Sequence, residues 1–142
     1  MNKEKKILGI DFGESYVGIA LGFLNKKIAL PREHLKRTSD LDLSSKIKNI
    51  CEKENISKVV LGIPSFGSIR NKIISFEKIL KKNLKQEVIL WDEDNTTQIT
   101  ESLDYLNANP GKGDKDSTSA MVILQDFLES NQKKLAHSPT NL

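Results

Sequence analysis

The chain has 142 residues, 37% hydrophobic and 29% charged, and its 22 basic and 19 acidic side chains leave a formal net charge of +3. That length suits one domain able to bury a sizeable core, and the lone cysteine, Cys51, excludes an intramolecular disulfide and a cysteine-rich zinc site. The small positive excess permits a nucleic-acid partner without arguing for one. No apolar run reaches membrane-spanning length and the start, MNKEKK, is unlike a signal peptide, so a cytoplasmic protein with no membrane partner is expected.

KILGID (6–11) is an apolar run closed by Asp11 and reads as a strand buried on both faces. FGES makes a turn, YVGIALGFL (16–24) a second strand, and KIAL (27–30) a third, with Pro31 expected to end the pairing. The short connections imply an antiparallel meander. From Asp40 the period becomes helical, with Leu43, Ile47, Ile50 and Cys51 on one face and Asp40 or Asp42 as candidate caps. KVVLGIP (58–64) is a strand, and a helix follows with Ile69, Ile73, Phe76 and Leu80 on one stripe. EVILW (87–91) is the last strand and runs into Asp92 and Glu93. Helices are expected over 96–107 and 116–130, separated by the polar loop ANPGKGDK. The expected organisation is one α/β domain over 1–130, with a mixed sheet flanked by helices, and a disordered polar tail over 131–142.

Most acids lie on lysine-rich helical surfaces, as solvated charge does. Three places differ: Asp11 ends the first strand, Asp92 and Glu93 end the last, and Asp116 opens the final helix. Ligand sites in such sheets gather outside the carboxyl ends of strands. If strands 7–11 and 87–91 are parallel neighbours, Asp11 and Glu93 emerge together, and the last helix brings Asp116 across. Three converging carboxylates repel unless a cation sits between them, and Mg2+ (or Mn2+) is the natural one. Gly13 then reads as clearance for a phosphate backbone. Each acid also has a plain structural reading. Asp11 is placed to cap a turn, Asp92-Glu93 to be a solvated strand end, and Asp116 to be an N-cap, though Ser119 gives it no capping box.

The order of motifs resembles the YqgF (RuvX) family, described as Holliday-junction resolvases or pre-16S ribosomal RNA nucleases with a ribonuclease H-like fold. The resemblance covers about residues 5 to 130. It rests on LGIDFGESYVGIAL, ALPREHLKR, VVLGIP, WDEDNTT and DSTSAMVILQDFL, five segments in the family's order. It implies a five-stranded mixed sheet, a three-stranded meander plus two crossover strands, and metal-dependent phosphodiester hydrolysis. Asp11, Glu93 and Asp116 are implied as catalytic metal ligands, with Asp92 a second candidate at the strand end. Gly13, Arg37, Thr96, Thr97 and Lys112 are the expected substrate contacts, with Lys115, Arg70 and Lys72 as further cations. The expected partner is pre-rRNA or branched DNA, bound by a monomer or weak homodimer.

The chain departs from the family at Glu14, Ser15 and Tyr16, where basic residues are usual, at Asp94, where arginine is usual, and at Lys115, where a branched apolar residue is usual. Lost cations weaken phosphate contact. A non-catalytic nucleic-acid-binding module with a drifted site is therefore a competing reading. Nucleotide binding of the actin type is another, disfavoured because such proteins close two domains over the nucleotide.

Overall fold

The computed structural model describes residues 5–93 and 117–137. Among these residues lie strands β1 (Lys6–Asp11), β2 (Tyr16–Phe23), β3 (Ile28–Lys36), β4 (Ile56–Ile63) and β5 (Glu87–Asp92), and helices α1 (Asp40–Glu54), α2 (Ile69–Asn83) and α3 (Thr118–His137). The strands form one sheet in the order β3-β2-β1-β4-β5. The first three make the antiparallel meander, and β4 and β5 run parallel to β1 after the crossovers α1 and α2. This is the mixed five-stranded α/β architecture expected from the sequence. The helix expected over 96–107 lies outside the described residues.

The continuous apolar character of β1 follows from burial on both sides of the sheet. Leu8 and Ile10 join one core with Val59, Leu61 and the apolar stripes of α1 and α2. Ile7 joins a second core with Ala20, Val60 and the α3 residues Ala120, Ile123, Leu124 and Phe127. Alternate residues of the central strands thus face different helices. Each fully buried Leu or Ile contributes about 1.5–3 kcal/mol relative to exposure, so the two faces are separately stabilised. In α1, Leu43, Ile47 and Cys51 are buried at a spacing of four. Burial pushes the Cys51 thiol up to about 12, so it behaves as a small apolar residue and not as a nucleophile.

Three local expectations are corrected. Pairing does not stop at Pro31: β3 continues to Lys36, with Pro31 opposite Ala20 and Lys36 opposite Tyr16. A proline is tolerated there because β3 is an edge strand, so the missing N–H faces away from the sheet. The α1 cap is Ser39, whose hydroxyl accepts from the Asp42 N–H at 3.1 Å. Asp40 and Asp42 instead occupy the first turn, where negative charge suits the helix dipole. Finally, β1 and β5 are not adjacent; β4 lies between them. The final helix, expected over 116–130, spans Thr118–His137.

Helix α3 fastens the meander. Leu124 packs against the backbone at Gly9 and Gly22. The Gln125 side chain accepts from the Ala29 N–H at 2.8 Å and donates to the Lys27 carbonyl at 2.9 Å, which ties the start of the edge strand to the helix.

Candidate active site

Asp11 is the last residue of β1 and is paired in register with Gly18 of β2. Ile7 faces α3 and Leu8 and Ile10 face away from it, so strand alternation directs Asp11 to the α3 side. The site is mostly shielded from water, and burial raises the Asp11 carboxyl from 3.8 to about 6.

The second acid reaches the same face across an intervening strand. Trp91 of β5 is opposite Gly62 of β4, and Gly62 follows Leu61, which is opposite Ile10 of β1. Two strand spacings, about 10 Å, therefore separate the backbones of β1 and β5. Gly62, with no side chain, lets Ile123 and Glu93 come close to the backbone between them. A Cβ placed there would lie 3.3 Å from Glu93 Oε1 and 2.5 Å from Ile123 Cδ1. The Glu93 carboxylate thus lies over Gly62, on the α3 side and toward Asp11. Trp91 belongs to the α3-side core and alternation turns the exposed Asp92 to the other face. Trp91 is itself held: its indole N–H donates to Asp126 Oδ2 at 2.9 Å and its ring meets Phe127 edge-on at 5.1 Å.

The third expected acid, Asp116, lies outside the described residues, as do Thr96, Thr97 and Lys112. Its neighbour Ser117 does not. Ser117 is fully buried, and its hydroxyl accepts from the Ile19 N–H at 2.9 Å. The β2–β3 register slips between Val17 and Ile19, and Ser117 supplies an acceptor for the Ile19 N–H beside that slip. The start of α3 is thereby tied to the residue after Gly18, the register partner of Asp11. Ser117→Ala is expected to orphan a buried donor, lowering stability by about 1–3 kcal/mol in chemical denaturation.

Among the described residues no three His, Cys, Asp or Glu side chains gather into a metal-holding group. Asp11 and the Glu93 carboxylate lie on the same, α3-side face of the sheet, and Ser117 ties the start of α3 to β2 beside the register partner of Asp11.

The family model for RuvX, "Holliday junction resolvase", matches residues 5–130. The chain belongs to the RuvX family. It is 31% identical to the "Putative pre-16S rRNA nuclease" of Caldanaerobacter subterraneus subsp. tengcongensis, over 89% of this chain and 98% of that one. It is 34% identical to the protein of the same description from Malacoplasma penetrans, over 92% and 99%. Among solved structures, Thermus thermophilus RuvC in complex with a Holliday junction substrate superposes with a TM-score of 0.67 at 10% identity, over 90% of this chain and 96% of that one. The fowlpox virus Holliday junction resolvase gives 0.54 at 19% identity, over 88% and 99%. These two likenesses establish the ribonuclease H-like fold.

In this RuvX member the turn after Asp11 is clamped by Phe12 together with Arg37 and Lys72, two cations expected to touch substrate. Phe12 packs against Phe76 of α2 with ring centroids 5.2 Å apart, and the Arg37 guanidinium sits 5.4 Å above the Phe12 ring. Arg37 pairs with Asp40 at 2.8 Å, donates from Nη1 to the Glu14 carbonyl at 3.1 Å, and donates its backbone N–H to the Ser15 carbonyl at 2.8 Å. Glu14 forms an ion pair with Lys72 of α2, which holds its carboxyl below the usual range. Arg70 Nη1 donates to the Pro64 carbonyl at 2.6 Å. Arg37, Arg70 and Lys72 thus all serve the loops around the acids.

Gly13 also has a requirement that the sequence did not disclose. A Cβ at Gly13 would fall 2.2 Å from the Tyr16 carbonyl oxygen. Any side chain at this position would collide with the Tyr16 carbonyl, so closing this turn requires a glycine. Gly62 is the position beside Glu93 that sequence reasoning missed. Its signal was a glycine inside an apolar strand, which marks close approach by another group.

Proposed function

We propose that this chain is a divalent-metal-dependent nuclease that hydrolyses phosphodiester bonds in structured nucleic acid, with pre-16S ribosomal RNA as its substrate. The observation that carries the reading is the Glu93 carboxylate lying over Gly62, on the face and toward the edge where Asp11 ends β1. Carboxylate oxygens suit Mg2+ or Mn2+, and a cation beside Asp11 would offset the burial that disfavours its charge. Asp11 and Glu93 would hold the metal, with Asp116 as the proposed third ligand. When bound, such a metal stabilises charge on the phosphodiester and activates water. Phe12 and Arg37 hold the turn that follows Asp11, and Trp91 and Asp126 brace the end of β5.

The names of the curated relatives favour an RNA substrate, and the family description favours branched DNA. Cleavage by a monomer suffices for RNA processing, whereas resolving a four-way junction needs two sites acting on two strands. A panel of pre-16S rRNA fragments, single strands, duplexes and four-way junctions in Mg2+ or Mn2+ tests the reading. The expected result is cleavage of the rRNA fragments that chelator abolishes. Glu93→Gln should reduce it by at least about a hundredfold, as loss of a metal ligand does. Asp92→Asn should leave most activity. Undiminished cleavage in excess chelator would refute the assignment, and junction cleavage alone would move the substrate to DNA.

A further inference from the structure

Four large hydrophobic side chains are exposed among the described residues: Tyr16, Ile28, Leu41 and Phe66. The two aromatic ones both lie at the carboxyl edge of the sheet, where Asp11 and Glu93 leave their strands. Phe66 is 83% exposed and Tyr16 is 52% exposed, whereas Phe12, Phe76 and Phe127 are buried.

Phe66 lies on the 64–68 connection, which leaves β4, the strand between β1 and β5. That connection is braced. Arg70 donates through its guanidinium to the Pro64 carbonyl at 2.6 Å and through its backbone N–H to the Gly67 carbonyl at 3.2 Å. Gly67 adopts φ +111°, a conformation that favours glycine, and turns the chain into α2. The ring is thus presented to water by a fixed backbone and forgoes the burial that Phe76 obtains on α2. The first turn of α2 beside it carries Arg70 and no acid.

Tyr16 lies on the other side of β1. It opens β2 two residues before Gly18, the register partner of Asp11. Val17 enters the α1–α2 core, so alternation puts Tyr16 on the same face as Asp11. Its ring is propped by His34 of β3, edge-on at a centroid distance of 5.0 Å.

We infer that Phe66 and Tyr16 are stacking platforms for unpaired bases flanking the scissile phosphate, so the strand is bound single-stranded at the point of cleavage. This rests on the nuclease reading above and adds the class of substrate conformation. Every base has a π-face, so stacking on aromatic rings binds single strands with little sequence preference. A base inside a duplex is already stacked and has no free face to offer. Two rings on either side of the strand bearing Asp11 fit an unstacked strand crossing the sheet edge.

The test uses the full chain carrying Asp11→Asn, so that bound RNA stays intact. The probes are an RNA hairpin with a short single-stranded 5′ extension containing 2-aminopurine, the same hairpin without the extension, and the DNA versions of both. Phe66→Ala is expected to weaken binding of the extended probes about tenfold, from the loss of one stacked base, and to relieve quenching of the 2-aminopurine. Phe66→Leu should behave like Phe66→Ala, Phe66→Trp like the parent, and blunt-hairpin binding should not change. Tyr16→Ala should act in the same direction. If Phe66→Leu binds as well as the parent, Phe66 is an apolar contact of another kind, such as a protein-docking point, and the inference falls. Equal losses on blunt and extended probes overturn it as well. If the wild-type chain cleaves RNA or DNA while neither Phe66→Ala nor Tyr16→Ala alters binding or quenching, the inference fails and the nuclease reading stands. If the parent binds none of the probes and the wild type cleaves none, both fail.

Discussion

Replacing Asp11 by Asn is expected to abolish cleavage and, in chelator, to make the protein more stable at pH 8. The two effects share one cause. Burial raises the Asp11 carboxyl from 3.8 to about 6. A folded-state pKa above the unfolded one means that folding favours the protonated form. The favourable contribution is complete below about pH 4 and is lost as pH rises through about 6. At pH 8 the wild-type fold therefore holds a poorly solvated carboxylate that the unfolded chain would solvate. Two pKa units correspond to about 3 kcal/mol, and the remaining solvent contact of Asp11 reduces this to roughly 1–2 kcal/mol. Asn removes the charge at nearly the same shape. Urea denaturation in chelator should show Asp11→Asn more stable than wild type at pH 8, with the difference gone near pH 4. Adding Mg2+ or Mn2+ should stabilise wild type and leave the variant unchanged, by linkage of binding to folding. A variant less stable than wild type at pH 8 without metal would mean that Asp11 has a structural partner, not a functional strain.

The cores and the carboxyl edge were legible in the sequence because they rest on periodicity. Asp11 closing KILGID and Glu93 following EVILW are both strand-end acids, and alternation alone places such residues. Strand order was not legible in the same way. Nothing in the apolar runs at 58–63 and 87–91 tells which one pairs with β1, since both send apolar residues toward the cores on the two faces. That is why β4 appeared only in the structure as the spacer between the two acids. Arg37 shows a second kind of limit. A cation near a phosphate-binding turn suits a substrate and suits the turn's own carbonyls equally well, and only coordinates reveal that Glu14 and Asp40 take it. Pro31 shows a third: proline forbids an inward N–H, but whether a strand lies at an edge is a property of the whole sheet.

Gly62→Ala is expected to damage both the packing of α3 and the proposed metal site, and the two losses can be separated. A methyl group there would sit 2.5 Å from Ile123 Cδ1, well inside contact distance, and 3.3 Å from Glu93 Oε1. Ile123 is almost fully buried between α3 and the sheet, so it has little room to yield. Overpacking of this kind costs about 1–3 kcal/mol. The Glu93 contact is milder in distance but matters more for function. In the proposed site Glu93 meets Asp11 across β4, and a metal that demands near-ideal geometry would tolerate a shift of a few tenths of an ångström poorly. Pairing Gly62→Ala with Ile123→Val removes the Cδ1 methyl and its clash while leaving the clash with Glu93. The double variant should regain most of the lost stability in denaturation. It should still bind Mg2+ or Mn2+ more weakly than wild type, by about tenfold or more in calorimetry, with a matching loss of cleavage. Ile123→Val alone should cost only about 0.5–1.5 kcal/mol and leave metal binding intact. If the double variant recovers metal affinity together with stability, Gly62 serves only the helix, and the approach of Glu93 toward Asp11 is not what that glycine provides.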